Sequence, residues 1–569
     1  MTTRTQPAPP PSPGLERAVA FLLAGILGLG SIVWAGGQLA GRLASGRWPH
    51  VTPTQAGGVL ARLPRYPSDP ARAWPPQAAR LMPGAFWMYA VLTVLLAITA
   101  AVGVWVWRAT KGTRAGKTDR AGGARWAVAA DIPELLARAP QPRRLTIGRF
   151  GRHLVLAEER HSLLVVGPTQ TGKTTGLAIP AILEWQGPVI CTSVKTDLLR
   201  DTIDARGRRG GRVLVFDPVQ ATGIQANTWT PLTSCTTRHG AQEVAASLTS
   251  TASNPGGGRA DLEHWQKMAA KLLAPLLYAA AIGRHSMADV VRWVDTLEEE
   301  EPVAILDRLS DKGALNALLA NFRRDDRTRS GAYSTAENAL EAYQDPRVQK
   351  TAEGSEITPE LLLDGGDHTL YICAPAHQQE RLSGLFVALI KQIMDAASER
   401  YQASGSLDPP LLVVLDEAAN IAPMRGLDRL ASAAADQGIQ LVTIFQDLAQ
   451  AKAVYGRDRA GTITTNHKAR LFLGGSADPD TLEQASRLIG DTEDDHTTHS
   501  IGRDGHRSTT TGTRIRPLAP PDLLRRLPPD TAILIYGGRP AARIQLRPWY
   551  RDKDLQRLVN PTLDDAPAP

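Results

Sequence analysis

Residues 162–175 read SLLVVGPTQTGKTT, in which a short apolar run leads directly into a glycine-rich loop with the spacing GxxxxGK[ST]. Such a run predicts a buried β-strand, and the amphipathic stretch 174–183 behind the loop predicts a helix. A loop at a strand-to-helix junction can direct its backbone N–H groups at the oxygens of a polyphosphate. The pattern therefore predicts a nucleoside-triphosphate site, the alternative being an ordinary glycine-rich loop.

Each residue type in this loop suits one part of a phosphate site. The ammonium of Lys173 would bind the terminal phosphates of ATP, and the hydroxyl of Thr174 would bind Mg²⁺. The predicted nucleotide-binding residues are Gly167, Pro168, Thr169, Gln170, Thr171, Gly172, Lys173, Thr174 and Thr175.

A second motif, LLVVLDEAAN at residues 411–420, places an acidic pair after five apolar residues. The uninterrupted apolar run predicts a parallel strand that is covered on both faces, with Asp416 at its carboxyl end. Asp416 would hold Mg²⁺ through water, and Glu417 would orient the water that attacks the γ-phosphate. The alternative is a pair of acids on a solvated loop, which an apolar run beside a P-loop disfavours.

Short apolar runs alternate with helical patterns in the rest of the chain, which predicts an α/β fold with a mostly parallel sheet. The seven runs are residues 162–166, 189–193, 213–216, 369–373, 411–415, 440–445 and 469–473. Between residues 242 and about 361 the pattern is helical and contains no convincing strand. We interpret this block as an all-α insertion in the α/β domain.

A chain of 569 residues is too long for one compact core. Its net charge of +7 is modest for this length and only permits a polyanionic partner. The predicted segments are a membrane anchor (1–110), a basic linker (111–144), a first nucleotide-binding part with the P-loop (145–240), the all-α inserted domain (241–361), a second nucleotide-binding part (362–552) and a disordered tail (553–569).

Two uncharged stretches near the amino terminus, residues 18–41 and 85–107, are each long enough to cross a bilayer. A cleaved signal peptide is the alternative for the first stretch only. A basic cluster follows the second stretch, and the nucleotide site downstream needs cytosolic ATP. These features predict a multi-pass protein of the cytoplasmic (inner) membrane, with a short external loop between two transmembrane helices and the ATPase domain in the cytoplasm.

The motifs and their order resemble the TraG/TraD-type coupling proteins of conjugative type IV secretion. The resemblance is carried by the two amino-terminal spans, GPTQTGKTT, CTSVKTDLLRDT with VFDP close behind it, LYICAP, LDEAAN and IFQDLAQ. It covers roughly residues 145–490 and implies a RecA-like P-loop motor that forms a homo-hexamer. It also implies that the all-α domain faces the cytoplasm and recruits a relaxase bound to single-stranded DNA for the secretion channel.

The resemblance also assigns roles to single residues. Lys173 and Thr174 match the family's phosphate and magnesium residues, and Asp416 with Glu417 matches its second acidic motif. Gln446, at the end of an apolar run, matches a catalytic-site glutamine that senses the γ-phosphate. The alternative for Gln446 is a surface glutamine after a strand.

One position departs from the family pattern. Many relatives place an arginine just before the strand that carries this glutamine, whereas residues 433–438 read AAADQG here. Because such an arginine reaches a neighbour's γ-phosphate, its absence weakens hydrolysis or moves the role elsewhere. Arg425, Arg429 and Arg470 are the candidates, and the sequence does not rank them.

Motifs and resemblance together predict an ATP hydrolase that brings DNA or a relaxase–DNA complex to a type IV secretion channel during conjugation. Two alternatives stay open. A DNA pump of the FtsK kind or a protein-secretion ATPase would keep the chemistry and change the cargo. A substrate receptor would use the same nucleotide site to bind ATP and would not hydrolyse it.

Overall fold

The computed structural model describes residues 13–113, 123–194, 196–252, 259–309, 311–501 and 507–561, and it divides into two units. The first unit, Met1–Ala121, is helical over most of its described length. Its helices are α1 (Pro13–Ser45), α2 (Ala56–Arg62), α3 (Pro76–Ala79) and α4 (Ala85–Thr113).

Helix α4 contains an 18-residue stretch, Ala85–Val102, that is long and apolar enough to cross a membrane, with a mean hydropathy of 2.1. Only 6% of this stretch is buried inside the protein. It is the one such stretch among the described residues, where the sequence predicts two. The first predicted span lies in α1, whose side chains from residue 13 to 27 fall outside the description, so that span is unconfirmed.

The described part of α1 is tied to the loop that follows it. The indole of Trp34 and the side-chain amide of Gln38 both donate to the carbonyl of Val51, at 2.7 and 2.8 Å. Val33 and Ala40 are buried on the same helix. This half of α1 therefore has polar partners and packing inside the unit.

The second unit, Gly122–Pro569, is built on one sheet of 12 strands and a separate two-stranded sheet. The strands are β1 (Leu136–Ala137), β2 (Thr146–Phe150), β3 (His153–Leu156), β4 (Leu163–Val166), β5 (Val189–Ser193), β6 (Val213–Phe216), β7 (Thr369–Cys373), β8 (Leu411–Leu415), β9 (Ile439–Phe445), β10 (Ala469–Leu473), β11 (Asp491–Ile501), β12 (Arg507–Pro517), β13 (Thr531–Tyr536) and β14 (Ala542–Gln545).

The order across the large sheet is β1-β3-β2-β14-β13-β10-β4-β9-β8-β5-β7-β6. From β10 to β6 every neighbouring pair is parallel, and these are the strands that the seven apolar runs predict. On the other side of β10 the sheet continues through β13, β14, β2, β3 and β1, and each neighbouring pair there is antiparallel. The predicted α/β fold with a mostly parallel sheet is confirmed.

The helices of this unit cover the sheet and connect its strands. They are α5 (Ile179–Glu184), α6 (Thr196–Gly207), α7 (Arg238–Thr249), α8 (Arg259–Gly283), α9 (Met287–Asp295), α10 (Glu300–Arg308), α11 (Lys312–Phe322), α12 (Asp326–Leu340), α13 (Pro346–Thr351), α14 (Pro359–Leu362), α15 (Gln379–Ser404), α16 (Ala418–Ile421), α17 (Leu427–Ala433), α18 (Leu448–Tyr455), α19 (Arg457–Asn466), α20 (Pro479–Ile489), α21 (Pro521–Arg525) and α22 (Lys553–Val559).

The parallel strands are apolar along their whole length because both faces of the sheet are covered. In β4, Leu164 and Val166 belong to the core that includes α8 and α15. The alternating residues Leu163 and Val165 belong to the opposite core, which includes α5 and α6. Between β6 and β7 the described residues form helices α7 to α14 and no strand, and α8 shares the first of these cores.

The structure differs from the predicted segment borders at both ends of this unit. Residues 123–144, predicted as linker, belong to it, and their Ile132 and Leu135 are buried. Residues 553–559, predicted as disordered, form α22, and Leu555 is fully buried against the core with α5 and α6. An apolar pattern of two helical turns is too short to predict a helix from sequence. Residues 562–569 lie outside the described residues.

Candidate nucleotide site

Three neighbouring strands of the sheet end at the predicted site. β9 lies between β4 and β8, with Val166 paired to Phe445 and Leu415 paired to Thr443. The carboxyl ends of parallel strands meet at one edge, so the residues that follow these strands emerge side by side. The structure thereby brings the P-loop, Asp416 with Glu417, and Gln446 to one edge.

The P-loop needs glycine at two places. Gly172 has φ +85°, a left-handed conformation that glycine adopts without steric cost. A Cβ atom on Gly167 would lie 2.8 Å from the Cβ of Leu473, so a side chain there would collide with β10. Between them, Thr169 and Gln170 form an exposed turn, and the hydroxyl of Thr171 donates to the carbonyl of Pro168 at 2.8 Å.

The loop continues into a π-helical turn, Thr174–Ala178, and then into α5. Turns of this kind inside helices are frequent at functional sites. The carbonyl of Thr175 accepts from the backbone N–H of Trp549 at 3.0 Å, which holds the first turn against the segment that follows β14. Backbone N–H groups at the amino end of this helix are therefore fixed where an anion can meet them.

The side chain of Lys173 is folded over the loop and buried. Its ammonium donates to the carbonyls of Gly167 and Pro168 at 2.6 and 2.5 Å. Phosphate oxygens are better acceptors for an ammonium than neutral carbonyls because they are charged. Lys173 is thus in place to exchange loop carbonyls for phosphate oxygens.

Asp416 meets the P-loop directly. The hydroxyl of Thr174 donates to its carboxylate at 2.8 Å, and the hydroxyl of Thr192 on β5 donates to its backbone carbonyl at 3.0 Å. Burial raises the pKa of Asp416 to about 6, against the opposing effects of the Thr174 hydrogen bond and the charge of Lys173. Sequence reasoning did not single out Thr192, which fixes the backbone of the acidic residue.

The donor set fits Mg²⁺. Two oxygens on adjacent corners of a Mg²⁺ octahedron are about 3 Å apart, close to the separation of the Thr174 and Asp416 oxygens. A carboxylate whose pKa is raised by burial gains more from a bound cation than an exposed one. Together these two residues could hold the ion directly or through water.

The variant Asp416→Asn is expected to stabilise the nucleotide-free protein at pH 7.5. Because the pKa is raised from its usual value near 4 to about 6, the folded protein favours the protonated form, and the free energy of unfolding falls as pH rises through this interval. Removing the charge should recover about 1–3 kcal/mol at pH 7.5, and the gain should shrink toward pH 4. Urea unfolding at a series of pH values measures it.

The matched control is Asp436→Asn, which changes an exposed carboxylate and should leave the unfolding curve unchanged. Added Mg²⁺ and ADP should stabilise the unsubstituted protein and the Asp436→Asn variant, but stabilise Asp416→Asn much less. A destabilised Asp416→Asn protein at pH 7.5 would show that Asp416 is held as a structural charge.

Glu417 stands at the amino end of α16 with φ +55° and ψ +48°. A non-glycine residue in this left-handed region is unfavourable by about 1–3 kcal/mol and is enriched at functional sites. Its carboxylate accepts from the side-chain amide of Asn420 at 3.3 Å. The left-handed residue lies between the end of β8, two residues before it, and the start of α16.

Gln446 directly follows β9 and lies beside the start of the P-loop, since the N–H of Gly167 donates to the carbonyl of Phe445 at 3.2 Å. Gln446 and Glu417 line one cavity of about 1090 Å³. Gln266 on α8 and Gln379 on α15 line the same cavity, and each has a buried side-chain atom with no protein partner within the described ranges. A roomy cavity with a polar wall can hold water beside Glu417.

The structure separates the three candidate arginines. Arg470 is committed to α19, where its guanidinium donates to the carbonyls of Thr464, His467 and Thr465 at 2.6, 3.1 and 3.1 Å. Arg429 is exposed on α17. Arg425 lines the same cavity as Glu417, as does Arg459, which no motif in the sequence indicates.

The P-loop junction on a mostly parallel sheet, with a carboxylate from another strand against its threonine, defines the class of P-loop NTPase folds. Residues 132–565 match the family described as type IV secretory system conjugative DNA transfer, and the chain belongs to this family. The family resemblance predicted from the motifs is thereby confirmed.

Two relatives illustrate the similarity. The chain is 26% identical over 404 residues to the conjugal transfer protein TraG of Agrobacterium fabrum, covering 68% of this chain and 60% of that protein. It is 22% identical over 448 residues to the protein VirD4 of the same organism, covering 74% and 63%. The chain thus spans about three fifths of the length of these relatives.

Solved structures of the coupling protein TrwB share the fold. The unbound monoclinic form of this bacterial conjugative coupling protein superposes with a TM-score of 0.58 at 21% identity, covering 75% of this chain and 92% of that one. The plasmid coupling protein TrwB in complex with ADP and Mg²⁺ gives 0.57 at 21% identity, covering 75% and 94%. At this identity the likeness concerns the fold.

Proposed function

We propose that this protein is a membrane-anchored ATPase that couples hydrolysis to the transfer of DNA, or of a relaxase bound to single-stranded DNA, into a type IV secretion channel during conjugation. The observation that carries the proposal is the 2.8 Å contact between the hydroxyl of Thr174 and the carboxylate of Asp416, 242 positions apart. A contact between these two side chains is what a shared Mg²⁺·ATP site requires. Family membership and the conjugal transfer relatives support the cargo.

The geometry supports a division of labour among the site residues. The loop N–H groups and Lys173 bind the phosphates, and Thr174 with Asp416 holds Mg²⁺, which when bound neutralises charge on the phosphate oxygens. Glu417 orients the attacking water and accepts its proton. The amide of Gln446 donates to a γ-phosphate oxygen and changes partner when that phosphate leaves.

We further propose a homo-hexamer in the cytoplasmic membrane, with the sheet-bearing unit in the cytoplasm. The apolar stretch Ala85–Val102 supports the anchor. In such a ring a neighbouring copy can supply the charge that residues 433–438 lack. Arg425 and Arg429 remain candidates for that role, because the guanidinium of Arg470 on β10 is occupied by carbonyls at the end of α19.

Single-stranded DNA is expected to stimulate ATP turnover by the full chain in lipid nanodiscs. A motor that grips the DNA backbone hydrolyses ATP faster when its track is present, and the stimulation should weaken as salt competes for phosphate contacts. Phosphate release with and without a single-stranded oligonucleotide, at several salt concentrations, measures the effect.

The other outcomes separate the alternatives. Stimulation by double-stranded DNA alone would indicate a DNA pump of another kind. Stimulation by a protein substrate without DNA would indicate a protein-secretion ATPase. Nucleotide-dependent assembly with no phosphate release would contradict the hydrolase and indicate a substrate receptor that binds ATP.

A further inference from the structure

A chain of side-chain amides connects the two catalytic loops. The backbone N–H of Gln446 donates to the side-chain oxygen of Gln450 at 3.2 Å, and the side-chain amide nitrogen of Gln450 donates to the side-chain oxygen of Asn420 at 3.0 Å. The amide nitrogen of Asn420 donates to the carboxylate of Glu417 at 3.3 Å. Three hydrogen bonds thus run from the loop after β9 to the loop after β8.

The two ends of this chain determine its direction. A backbone N–H can only donate and an ionised carboxylate can only accept, so Gln450 must present its oxygen to Gln446, and Asn420 must present its nitrogen to Glu417. Both amides then use one donor and one acceptor within the chain, and aligned bonds of this kind strengthen one another. Neither amide can be flipped without breaking two of the three bonds.

Gln450 is held firmly at the centre of this arrangement. Its backbone N–H donates to the carboxylate of Asp447 at 2.7 Å, which caps the amino end of α18. At the other end, Asn420 lies on α16 one turn beyond Glu417, and its backbone N–H donates to the carbonyl of Glu417 at 2.9 Å. The amide chain therefore joins two short helices, α16 and α18, and the catalytic groups Glu417 and Gln446 lie just before these helices in the sequence.

We propose that Asn420 and Gln450 act as one positioning unit that sets the carboxylate of Glu417 relative to Gln446. A change at the γ-phosphate that moves Gln446 is then passed to Glu417 through the amides, and a change at Glu417 is passed back. This proposal rests on the proposed ATPase function. It concerns two residues that act through Glu417 and Gln446, and one of them, Asn420, also lines the cavity beside Glu417.

The test uses variants that keep size and remove one bond each. Asn420→Asp removes the amide nitrogen that donates to Glu417 and keeps the oxygen that accepts from Gln450. Gln450→Glu removes the amide nitrogen that donates to Asn420 and keeps the oxygen that accepts from the backbone N–H of Gln446. The matched control is Gln392→Glu on α15. In the unsubstituted protein the indole of Trp229 donates to the side-chain oxygen of Gln392 at 2.7 Å, and a glutamate keeps this acceptor. This hydrogen bond is not part of the series of amides between Gln446 and Glu417. Thermal unfolding of each variant verifies that it is folded.

Each positioning variant should lower kcat about 10- to 100-fold and leave the Kd for ADP within about twofold, since the P-loop is unchanged. The double variant should be no slower than the slower single variant, because breaking one link already disconnects the loops. The Gln392→Glu control should match the unsubstituted protein. Losses that multiply in the double variant, or an unchanged kcat in both single variants, would overturn the proposal.

A second measurement remains valid if the protein does not hydrolyse ATP. The ratio of the Kd values for ADP and the non-hydrolysable analogue ADPNP reports how the site distinguishes the γ-phosphate. Asn420→Asp should change this ratio about fivefold or more, and Gln392→Glu should not. Absent turnover with a changed ratio contradicts the hydrolase and supports the positioning unit, whereas an unchanged ratio overturns the positioning unit whether or not ATP is hydrolysed.

Discussion

Replacing Lys173 by alanine is expected to abolish measurable ATP turnover. The Lys173 ammonium is buried over the carbonyls of Gly167 and Pro168, so the charge that it offers to phosphates is poorly screened by water. Removing one preorganised donor of this kind costs about 10²–10³-fold in rate, and the loss of a positive charge adds to the loss of affinity. Phosphate release and binding of a fluorescent ATP analogue measure the two effects.

The matched control is Lys468→Ala. Lys468 is exposed and directly precedes β10, which places it at the amino edge of the parallel strands, opposite the P-loop. This variant should bind and hydrolyse ATP as the unsubstituted protein does. Unchanged turnover in Lys173→Ala would mean that the phosphates are bound elsewhere, and the proposed site would be wrong.

Replacing Glu417 by glutamine should separate binding from chemistry. The amide oxygen of the new side chain can still accept from Asn420, so the left-handed turn at residue 417 and the contact between Thr174 and Asp416 should persist. What is lost is a base for the attacking water, which contributes about 10²–10⁴-fold to rate. We expect kcat to fall by that factor with the Kd for ATP nearly unchanged.

The control for this variant is Glu380→Gln, which removes a carboxylate from the wall of the same cavity and should leave kcat unchanged. A single-turnover experiment distinguishes slow chemistry from slow product release. Equal losses of kcat in the two variants would indicate that the charge of the cavity matters and that Glu417 has no special role. Loss of ATP binding in Glu417→Gln would make Glu417 a structural residue.

The local patterns predicted the parallel core well because its strands are buried on both faces. The run before Asp416 is apolar at every position, and the structure forms β8 from those residues. The antiparallel strands are not among the seven predicted runs, although β13 reads TAILIY and is as apolar as the parallel strands. Two of the others, β14 and β2, are less uniform. β14 reads ARIQ and alternates buried with exposed residues over only four positions, and β2 reads TIGRF with a glycine and an arginine inside it.

The candidate site follows from the sequence in part, for a similar reason. Lys173, Thr174, Asp416 and Glu417 stand in motifs whose spacing carries their chemistry, so the sequence alone indicated them. Thr192, Asn420 and Gln450 lie inside motifs of the family resemblance, but the sequence assigns them no role, because a threonine, an asparagine or a glutamine near a strand end is common in any α/β chain. Their roles depend on which side-chain atoms lie within hydrogen-bonding distance after folding.

The sequence by itself determined the P-loop, the acidic pair and the seven parallel strands, since each follows from residues that are close together in the chain. The tertiary structure decided that β9 lies between β4 and β8, that the hydroxyl of Thr174 reaches Asp416, and that two amides join Glu417 to Gln446. Strand order depends on how helices pack on both faces of the whole sheet. Whether two side chains form a hydrogen bond depends on differences of a few tenths of an ångström in the distance between donor and acceptor. Spacing along the chain contains neither quantity.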